Sequence, residues 1–270
     1  MTEPARVHVH LVPSLFEPDD LCGGVAVMID VLRASTTICT ALQVGAEAVV
    51  PLSEVPRTLA LANADDNGMA GGERDGRPPE GFDLGNSPAD YTADSVGGRV
   101  VYFTTTNGTQ ALQRMRQADA VYVAAFVNRD AVVEWLRHET RPIHFVCAGT
   151  DGAKTAEDVL LAGALVHDLL GDVPLSAPIG TQLAADHFTC RGGSLREAVG
   201  SGQGGQNLTQ LGLEADIDAA VVQSSIPIVP EWNLRTNRLT VAEGEAPQPS
   251  ATAADEPSDR ASDDDGLGGW

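Results

Sequence analysis

Short runs of apolar residues alternate along the chain with longer stretches whose apolar positions recur at helical spacing. The short runs predict strands at Val7–Val12, Gly24–Ile29, Ala48–Pro51, Arg99–Phe103, Ala120–Ala124 and Ile143–Cys147. The stretches between them predict helices at Ser35–Gly45, Val55–Ala64, Thr109–Arg116, Arg129–His138 and Ala156–Leu170. This β-α-β-α rhythm indicates an α/β fold in which helices cover both faces of a mainly parallel sheet.

Two segments depart from that rhythm. Asp65–Pro88 is rich in Gly, Pro, Asp and Arg and predicts a long loop, and loops of that length are usually functional. After Gly171 the pattern becomes helical and glycine-rich as far as a short strand predicted near Ile226–Pro230.

The composition changes again at Val241, where large apolar residues become scarce. The last 30 residues hold eight acids and one arginine, too polar a mixture to offset the entropy lost on ordering. We therefore predict a folded domain over 1–240 and an acidic disordered tail over 241–270.

Charge narrows the classes of partner. The formal net charge is −21, and Lys154 is the only lysine, which disfavours nucleic acid and anionic membranes as partners. No apolar run reaches the roughly 18 residues of a membrane span, and the polar start MTEPARVHVH does not resemble a signal peptide. We expect a cytoplasmic location.

Polar side chains collect at the strand exits and in the long loop. In open α/β sheets, ligands bind where strands end and helices begin. Four segments there carry carboxylates, or arginine, lysine, hydroxyl and amide donors. They hold Asp30 and Arg33; Glu73, Arg74, Asp83 and Asn86; Thr105, Thr106, Asn107, Gly108 and Thr109; and Lys154, Glu157 and Asp158.

These two kinds of side chain suit one chemistry. Carboxylate oxygens bind a hard dication such as Mg²⁺, and arginine forks, hydroxyls and backbone N–H groups bind phosphate oxygens. Together they indicate metal-assisted phosphoryl chemistry on a small anionic phosphorylated substrate. The alternative is that the same residues serve only as helix caps and turn residues.

Other motifs give little support to competing functions. The run GSGQGG matches a dinucleotide-binding pattern, but it follows a predicted helix instead of a strand. The chain has no phosphate-loop motif, no covalent-nucleophile motif and no ligand spacing among its histidines.

Five segments, in order, resemble the 2-phosphosulfolactate phosphatase (ComB) family. They are MIDVLRASTTICTALQVGA, GGERDGRPPEGFDLGNSP, TTTNGTQAL, CAGTDGAKTAEDVLLAGA, and NLTQLGLEADI followed by PIVP, and they span about residues 24 to 230. The resemblance implies a three-layer α/β/α fold with a mainly parallel or mixed central sheet. It also implies a Mg²⁺-dependent phosphatase, whose namesake releases phosphate from 2-phospho-3-sulfolactate in coenzyme M biosynthesis.

With Mg²⁺ as the expected metal, the acids of these segments are predicted to be its ligands. Asp30, Glu73, Asp83 and Asp158 are predicted Mg²⁺ ligands, and Glu157 is either a further ligand or the general base. Asp30, Glu157 and Asp158 are thus the predicted catalytic residues.

The remaining residues are predicted to hold the substrate. Arg33 and Arg74 would neutralise the phosphoryl group or a second anionic group, with Asn86 beside them. Thr105, Thr106, Asn107, Gly108 and Thr109 would form a phosphate cradle, and Lys154 is either a phosphate contact or a surface residue. A protein that binds or senses a phosphorylated metabolite is the alternative function, and the oligomeric state is left open.

Overall fold

The computed structural model describes residues 7–244, so most of the predicted acidic tail lies outside the described residues. The strands are β1 (Val7–His10), β2 (Val25–Ile29), β3 (Ala48–Pro51), β4 (Gly68–Gly72), β5 (Val100–Thr104), β6 (Ala120–Ala124), β7 (Ile143–Cys147), β8 (Pro230–Asn233) and β9 (Arg238–Val241). The α-helices are α1 (Ala34–Gln43), α2 (Val55–Ala64), α3 (Ala93–Val96), α4 (Gly108–Arg114), α5 (Arg129–Leu136), α6 (Ala156–Leu170), α7 (Ile179–Arg191), α8 (Leu195–Ser201), α9 (Gln203–Leu211) and α10 (Glu214–Ala220).

All nine strands described in residues 7–244 form one mixed sheet, in the order β1-β7-β2-β6-β8-β9-β3-β5-β4. Two parallel blocks, β1-β7-β2-β6 and β3-β5-β4, are joined by the antiparallel β8–β9 hairpin. The hairpin is thus the only bridge between the blocks within the sheet as described. The predicted three-layer α/β/α fold with a mixed sheet is confirmed.

The central strands are buried on both faces. Every residue of β2 is buried, and its side chains alternate between two apolar clusters. One cluster includes residues of α1 and α4, and the other includes residues of α5 to α10. Coverage on both faces explains why β2 is a continuous apolar run instead of an alternating one.

Several predicted elements have the predicted bounds, and two predictions were wrong. The segment predicted as one long loop contains β4, whose sequence GMAGG lacks the β-branched and aromatic residues typical of strands. The last strand does not cover Ile226–Pro230, since β8 only begins at Pro230. The N–H of Ile226 donates to the carbonyl of Val127 (2.8 Å), which lies in the 3-10 helix Phe126–Asn128 outside the sheet ladder.

The strand exits come together at one place. The last residue of β2, Ile29, pairs with Ala124 of β6 and Cys147 of β7, so those exits share an edge. β2 and β5 lie five strands apart, about 24 Å in a flat sheet. However, a Cβ placed on Gly108, after β5, would lie 2.7 Å from the Asp30 carboxylate, after β2. The segment that follows β5 therefore reaches the exit of β2 across the strands between them.

Candidate active site

A cavity of about 320 Å³ lies where these strand exits meet. Its walls come from the exits of β2, β5 and β7, from the loop after β4, and from helix α9. The predicted residues among its lining are Asp30, Arg33, Glu73, Asn86, Thr105, Thr106 and Asn107. The structure thus brings half of the predicted site together in one cavity.

Asp30 lies at the floor of the cavity and is almost fully buried. Burial raises the pKa of its carboxyl group well above the usual value, and the nearby charges of Asp158, Glu73 and Glu157 raise it further. The backbone N–H of Ala34, in the first turn of α1, donates to Oδ1 (3.3 Å) and opposes this shift. A bound cation would relieve the repulsion among these acids.

Glu73 follows β4 directly and connects the long loop to the exit of β5. Its Oε2 accepts the N–H of Gly76 (2.9 Å), and its Oε1 accepts the N–H of Thr106 (2.7 Å). The side chain is buried and also lines the cavity. It therefore carries a negative charge to the same cavity as Asp30.

Glu157 and Asp158 lie in the first turn of α6, buried beside the cavity and outside its lining. Asp158 accepts the N–H groups of Val31 (2.9 Å) and Gly149 (3.0 Å), which holds the exits of β2 and β7 together. Burial raises the pKa of Asp158 to about 6. Burial, with the charge of Asp158, raises the pKa of Glu157 to about 7.

Near the cavity, one carboxylate oxygen and one amide oxygen, both buried, lack a hydrogen-bond partner anywhere in residues 7–244. They are Oε2 of Glu157 and Oδ1 of Asn86. Because an unpaired buried oxygen is costly, these atoms suggest a ligand or water that the protein itself does not supply.

Arg33 is the positively charged side chain among the residues that line the cavity, and an ion pair with Asp216 holds it in place. Its Nη1 donates to Oδ2 of Asp216 on α10 (2.6 Å), and its Nη2 donates to the carbonyl of Gly76 (2.8 Å). Ser87 donates to the other carboxylate oxygen of Asp216 (2.5 Å). Arg33 and Asp216 are both about 4 % exposed, so this ion pair ties three segments together in the interior.

The TTTNGT loop is built as the turn that starts α4. The N–H of Thr109 donates to Oγ1 of Thr105 (3.2 Å), and Oγ1 of Thr109 donates back to the Thr105 carbonyl (2.7 Å). Thr109 is buried outside the cavity lining and orders Thr105, which faces the cavity. Oδ1 of Asn107 accepts the N–H of Asp151 (3.1 Å) from the exit of β7.

Three predicted site residues lie away from the cavity. Arg74 donates to the carbonyls of Glu73 (2.6 Å) and Ser53 (2.8 Å) and to Oγ1 of Thr104 (2.8 Å). Asp83 is exposed and accepts the N–H of Ala70 on β4 (2.8 Å). Lys154 is exposed and outside the lining.

The residue-level predictions missed the wall formed by α9. Gly204, Asn207, Leu208, Gln210 and Leu211 all line the cavity. A Cβ on Gly204 would collide with Oε1 of Glu157, so the glycine run that resembled a nucleotide motif instead permits close approach to a buried acid. The residue-level predictions also missed Asp216. The stretch Gly204–Leu211 begins just before the matching segment NLTQLGLEADI and extends into it, and Asp216 lies inside that segment.

The donor chemistry of the cavity fits a hard dication. All nearby anionic ligands are oxygens, the acids repel one another, and two buried oxygens are unpaired. Across residues 7–244, no three His, Cys, Asp or Glu side chains form a ready-made metal cage. Mg²⁺ does not require one, since it keeps several waters and binds through one or two carboxylates plus substrate phosphate.

The fold and the cavity together define an α/β enzyme whose site lies at converging strand exits. A family model described as 2-phosphosulpholactate phosphatase matches residues 10–234. The chain belongs to the 2-phosphosulpholactate phosphatase family.

Several curated relatives carry the name probable 2-phosphosulfolactate phosphatase. The protein of Symbiobacterium thermophilum is 39 % identical over 215 residues, which cover 78 % of this chain and 92 % of the relative. The protein of Thermosynechococcus vestitus is 37 % identical over 239 residues, covering 86 % and 96 %. That of Deinococcus radiodurans is 39 % identical over 229 residues, covering 83 % and 92 %. In the part of the chain that the structure describes, no helix is long and apolar enough to cross a membrane.

Proposed function

We propose that the protein is a cytoplasmic Mg²⁺-dependent phosphatase that converts 2-phospho-3-sulfolactate and water to 3-sulfolactate and phosphate. The observation that carries the proposal is the convergence of Asp30, Glu73 and Arg33 on one cavity in a chain of this family. Carboxylates to hold a cation and donors to hold an anion are both needed for this chemistry.

Asp30 and Glu73, which line the cavity, are proposed to hold the metal ion, with Asp158 beside them where the exits of β2 and β7 join. Each keeps lone pairs beyond those used by the backbone N–H groups that orient it. When bound, Mg²⁺ polarises a phosphoryl oxygen and orients a water for in-line attack. Asp83 is left out of this set because it is exposed and pairs with the β4 backbone.

The phosphoryl group is proposed to lie against the start of α4. Thr105, Thr106 and Asn107 face the cavity there, and Gly108 leaves room beside the Asp30 carboxylate. Thr109 contributes by ordering Thr105. In this proposal, neither Arg74 nor Lys154 contacts the substrate directly.

Glu157 is proposed to take the proton of the attacking water on Oε2. That atom has no hydrogen-bond partner within residues 7–244. The backbone of Gly204, which lines the cavity, lies against the other oxygen of this carboxylate, Oε1. As the new P–O bond forms to the water oxygen, the bond to the ester oxygen breaks, and that oxygen leaves as the hydroxyl of 3-sulfolactate after protonation by solvent.

Replacing Asp30 tests the proposal. Asp30→Asn should lower Mg²⁺-dependent phosphate release from 2-phospho-3-sulfolactate by at least about a hundredfold. Replacing a residue that only orients a metal ligand already costs about 10- to 100-fold in activity or metal affinity. Its unfolding free energy should stay the same or rise, because the substitution removes a buried carboxylate that its neighbours repel.

The exposed Asp172→Asn serves as the matched control and should keep full activity. Phosphate release should also stop when EDTA removes the metal and return with Mg²⁺. Full activity in Asp30→Asn, or hydrolysis that persists in EDTA, would contradict the proposal.

A further inference from the structure

Helix α9 runs along the cavity from its acidic end to its arginine end. At the first end, Gly204 lies against Glu157. At the other end, Leu211 lies against Gly76, whose carbonyl binds Arg33. Gly204 and Leu211 are seven positions apart along the helix, which is about 10 Å at 1.5 Å per residue. The cavity is therefore long enough to hold two groups of one small substrate.

The two ends differ in charge. Asp30, Glu157 and Asp158 bring three carboxyl groups that repel one another to the first end or beside it, so we expect an anion to bind there only together with a cation. The second end has the Arg33 guanidinium, which uses two of its N–H groups on Asp216 and Gly76. A guanidinium has five N–H donors, so further donors remain for a ligand in the cavity.

The middle of α9 and the part next to its arginine end supply neutral donors to the cavity. Asn207 and Gln210 lie three residues apart, on neighbouring positions of the helix surface, and both line the cavity. Neither amide makes a hydrogen bond with another group of residues 7–244. Amide and guanidinium donors suit a small oxyanion. The carboxylates of Glu73 and Asp216 also lie at the arginine end, and both already accept hydrogen bonds from the protein.

We infer that Arg33, Asn207 and Gln210 form a subsite for the second anionic group of the substrate, its sulfonate or carboxylate. Asp216 acts there as a positioning residue, since it fixes the guanidinium without lining the cavity. The inference rests on the proposed function and extends it, because it assigns the two ends of the cavity to the two ends of the substrate.

The test compares three phosphate esters in an Asn207→Leu variant. The esters are 2-phospho-3-sulfolactate, 2-phospholactate, which lacks the sulfonate, and p-nitrophenyl phosphate, which lacks both extra anions. Asn207→Leu should lower kcat/KM for 2-phospho-3-sulfolactate by about tenfold or more, the range for one hydrogen bond to a charged group. It should change kcat/KM for p-nitrophenyl phosphate by less than about twofold, since that ester has nothing to place in the subsite.

The intermediate ester tells which group is bound. An equal loss on 2-phospholactate assigns the subsite to the carboxylate, and a loss restricted to 2-phospho-3-sulfolactate assigns it to the sulfonate. Gln203→Leu is the matched control, since Gln203 is an exposed amide on the same helix outside the cavity. An equal loss on all three esters, or no loss on any, would overturn the inference.

Asp216→Asn gives an independent readout. If Asp216 positions Arg33, the variant should raise KM for 2-phospho-3-sulfolactate more than it lowers kcat, and it should weaken inhibition by 3-sulfolactate but not by inorganic phosphate. If Asp216 merely neutralised Arg33, inhibition by 3-sulfolactate would become stronger, and the positioning role would be wrong. Asp218→Asn, in an exposed ion pair on the same helix, is the control.

These results separate the two proposals. A wild-type enzyme that hydrolyses none of the esters refutes the proposed function and the subsite with it. A wild-type enzyme that hydrolyses them, with Asn207→Leu unchanged on all three, refutes the subsite alone.

Discussion

Three imidazole rings lie in a stack where β1 meets β7. The His8 and His144 centroids are 4.8 Å apart, those of His10 and His144 are 5.3 Å apart, and the planes are nearly parallel. Nε2 of His10 and Nδ1 of His144 are 3.0 Å apart, which requires one nitrogen to donate and the other to accept. Protonation of both rings would destroy this bond, so the stack favours neutral histidines.

The stack predicts acid sensitivity. Burial, then the charge of His8, lowers the pKa of His10 to about 4, and burial, then the charge of His10, lowers that of His144 to about 4, while Asp20 opposes both shifts. The unfolded chain would bind these protons near pH 6.5. Between pH 6.5 and 4 the unfolded state therefore binds more protons, so stability falls as the pH falls through that window.

Urea unfolding at pH 7 and pH 5 measures the effect. We expect each of the two rings to contribute a loss on the order of 1 kcal/mol, because a pKa lowered to about 4 leaves each ring mostly unprotonated in the folded state at pH 5. His144→Gln should make the loss smaller, whereas His138→Gln, at an exposed position, should leave it unchanged. Identical losses in wild type and His144→Gln would contradict this assignment.

At the scale of elements, β4 shows where sequence patterns stop being informative. Strands such as β6 and β7 were predicted with their observed bounds because β-branched and aromatic residues dominate them. In β4, glycines replace such residues because neighbours come too close. A Cβ on Gly71 would lie 2.5 Å from the Tyr91 hydroxyl, and one on Gly72 would collide with the carbonyl of Thr104. These constraints arise from tertiary contacts that no local pattern records.

Gly72→Ala should therefore be costly. Gly72 has a φ of +128° and no room for a Cβ, and it directly precedes Glu73. We expect a loss of about 3 kcal/mol or more of unfolding free energy, since strain and a backbone collision add. Gly98→Ala is the matched control, with a φ of +68° and open space around it, and should lose only about 1 kcal/mol.

Urea unfolding of both variants decides the matter. Equal losses would show that positive φ alone explains the cost at Gly72, and that the contact with Thr104 adds nothing.

Part of the site was predictable from where its residues lie along the chain. Asp30 and Thr105 could be identified because they follow predicted strands, and parallel strands end at a common edge. Glu73 was identified because it lies in a long polar loop, without knowledge that β4 precedes it. Asp216 and Asn207 lie on helices more than a hundred residues further along the chain, and their approach to Arg33 depends on how the C-terminal helices fold back over the cavity. Sequence spacing holds no signal for that path, apart from the family motif in which both residues lie.

At the scale of the whole molecule, the two parallel blocks of the sheet depend on the β8–β9 hairpin. β8 pairs with β6 of one block, β9 pairs with β3 of the other, and Trp232 and Leu239 of the hairpin are almost fully buried. The cavity needs both blocks, since Asp30 follows β2 and Glu73 follows β4. The hairpin contributes no residue to the cavity lining, but it joins the two blocks that carry the two halves of the site.

Two truncations test this dependence and the domain boundary together. β9 ends at Val241, one residue beyond the boundary predicted from composition. A chain ending at Gly244 should keep the unfolding free energy and the phosphatase activity of the full chain. A chain ending at Asn237 lacks β9 and the buried Leu239, and loss of one buried leucine side chain alone costs about 2 to 5 kcal/mol. Because a domain has only about 5 to 15 kcal/mol of stability in total, we expect this chain to be largely unfolded and inactive.

Urea unfolding and phosphate release measure both outcomes. Destabilisation of the chain ending at Gly244 would show that the acidic segment belongs to the folded domain, and a stable, active chain ending at Asn237 would show that the hairpin does not join the two blocks.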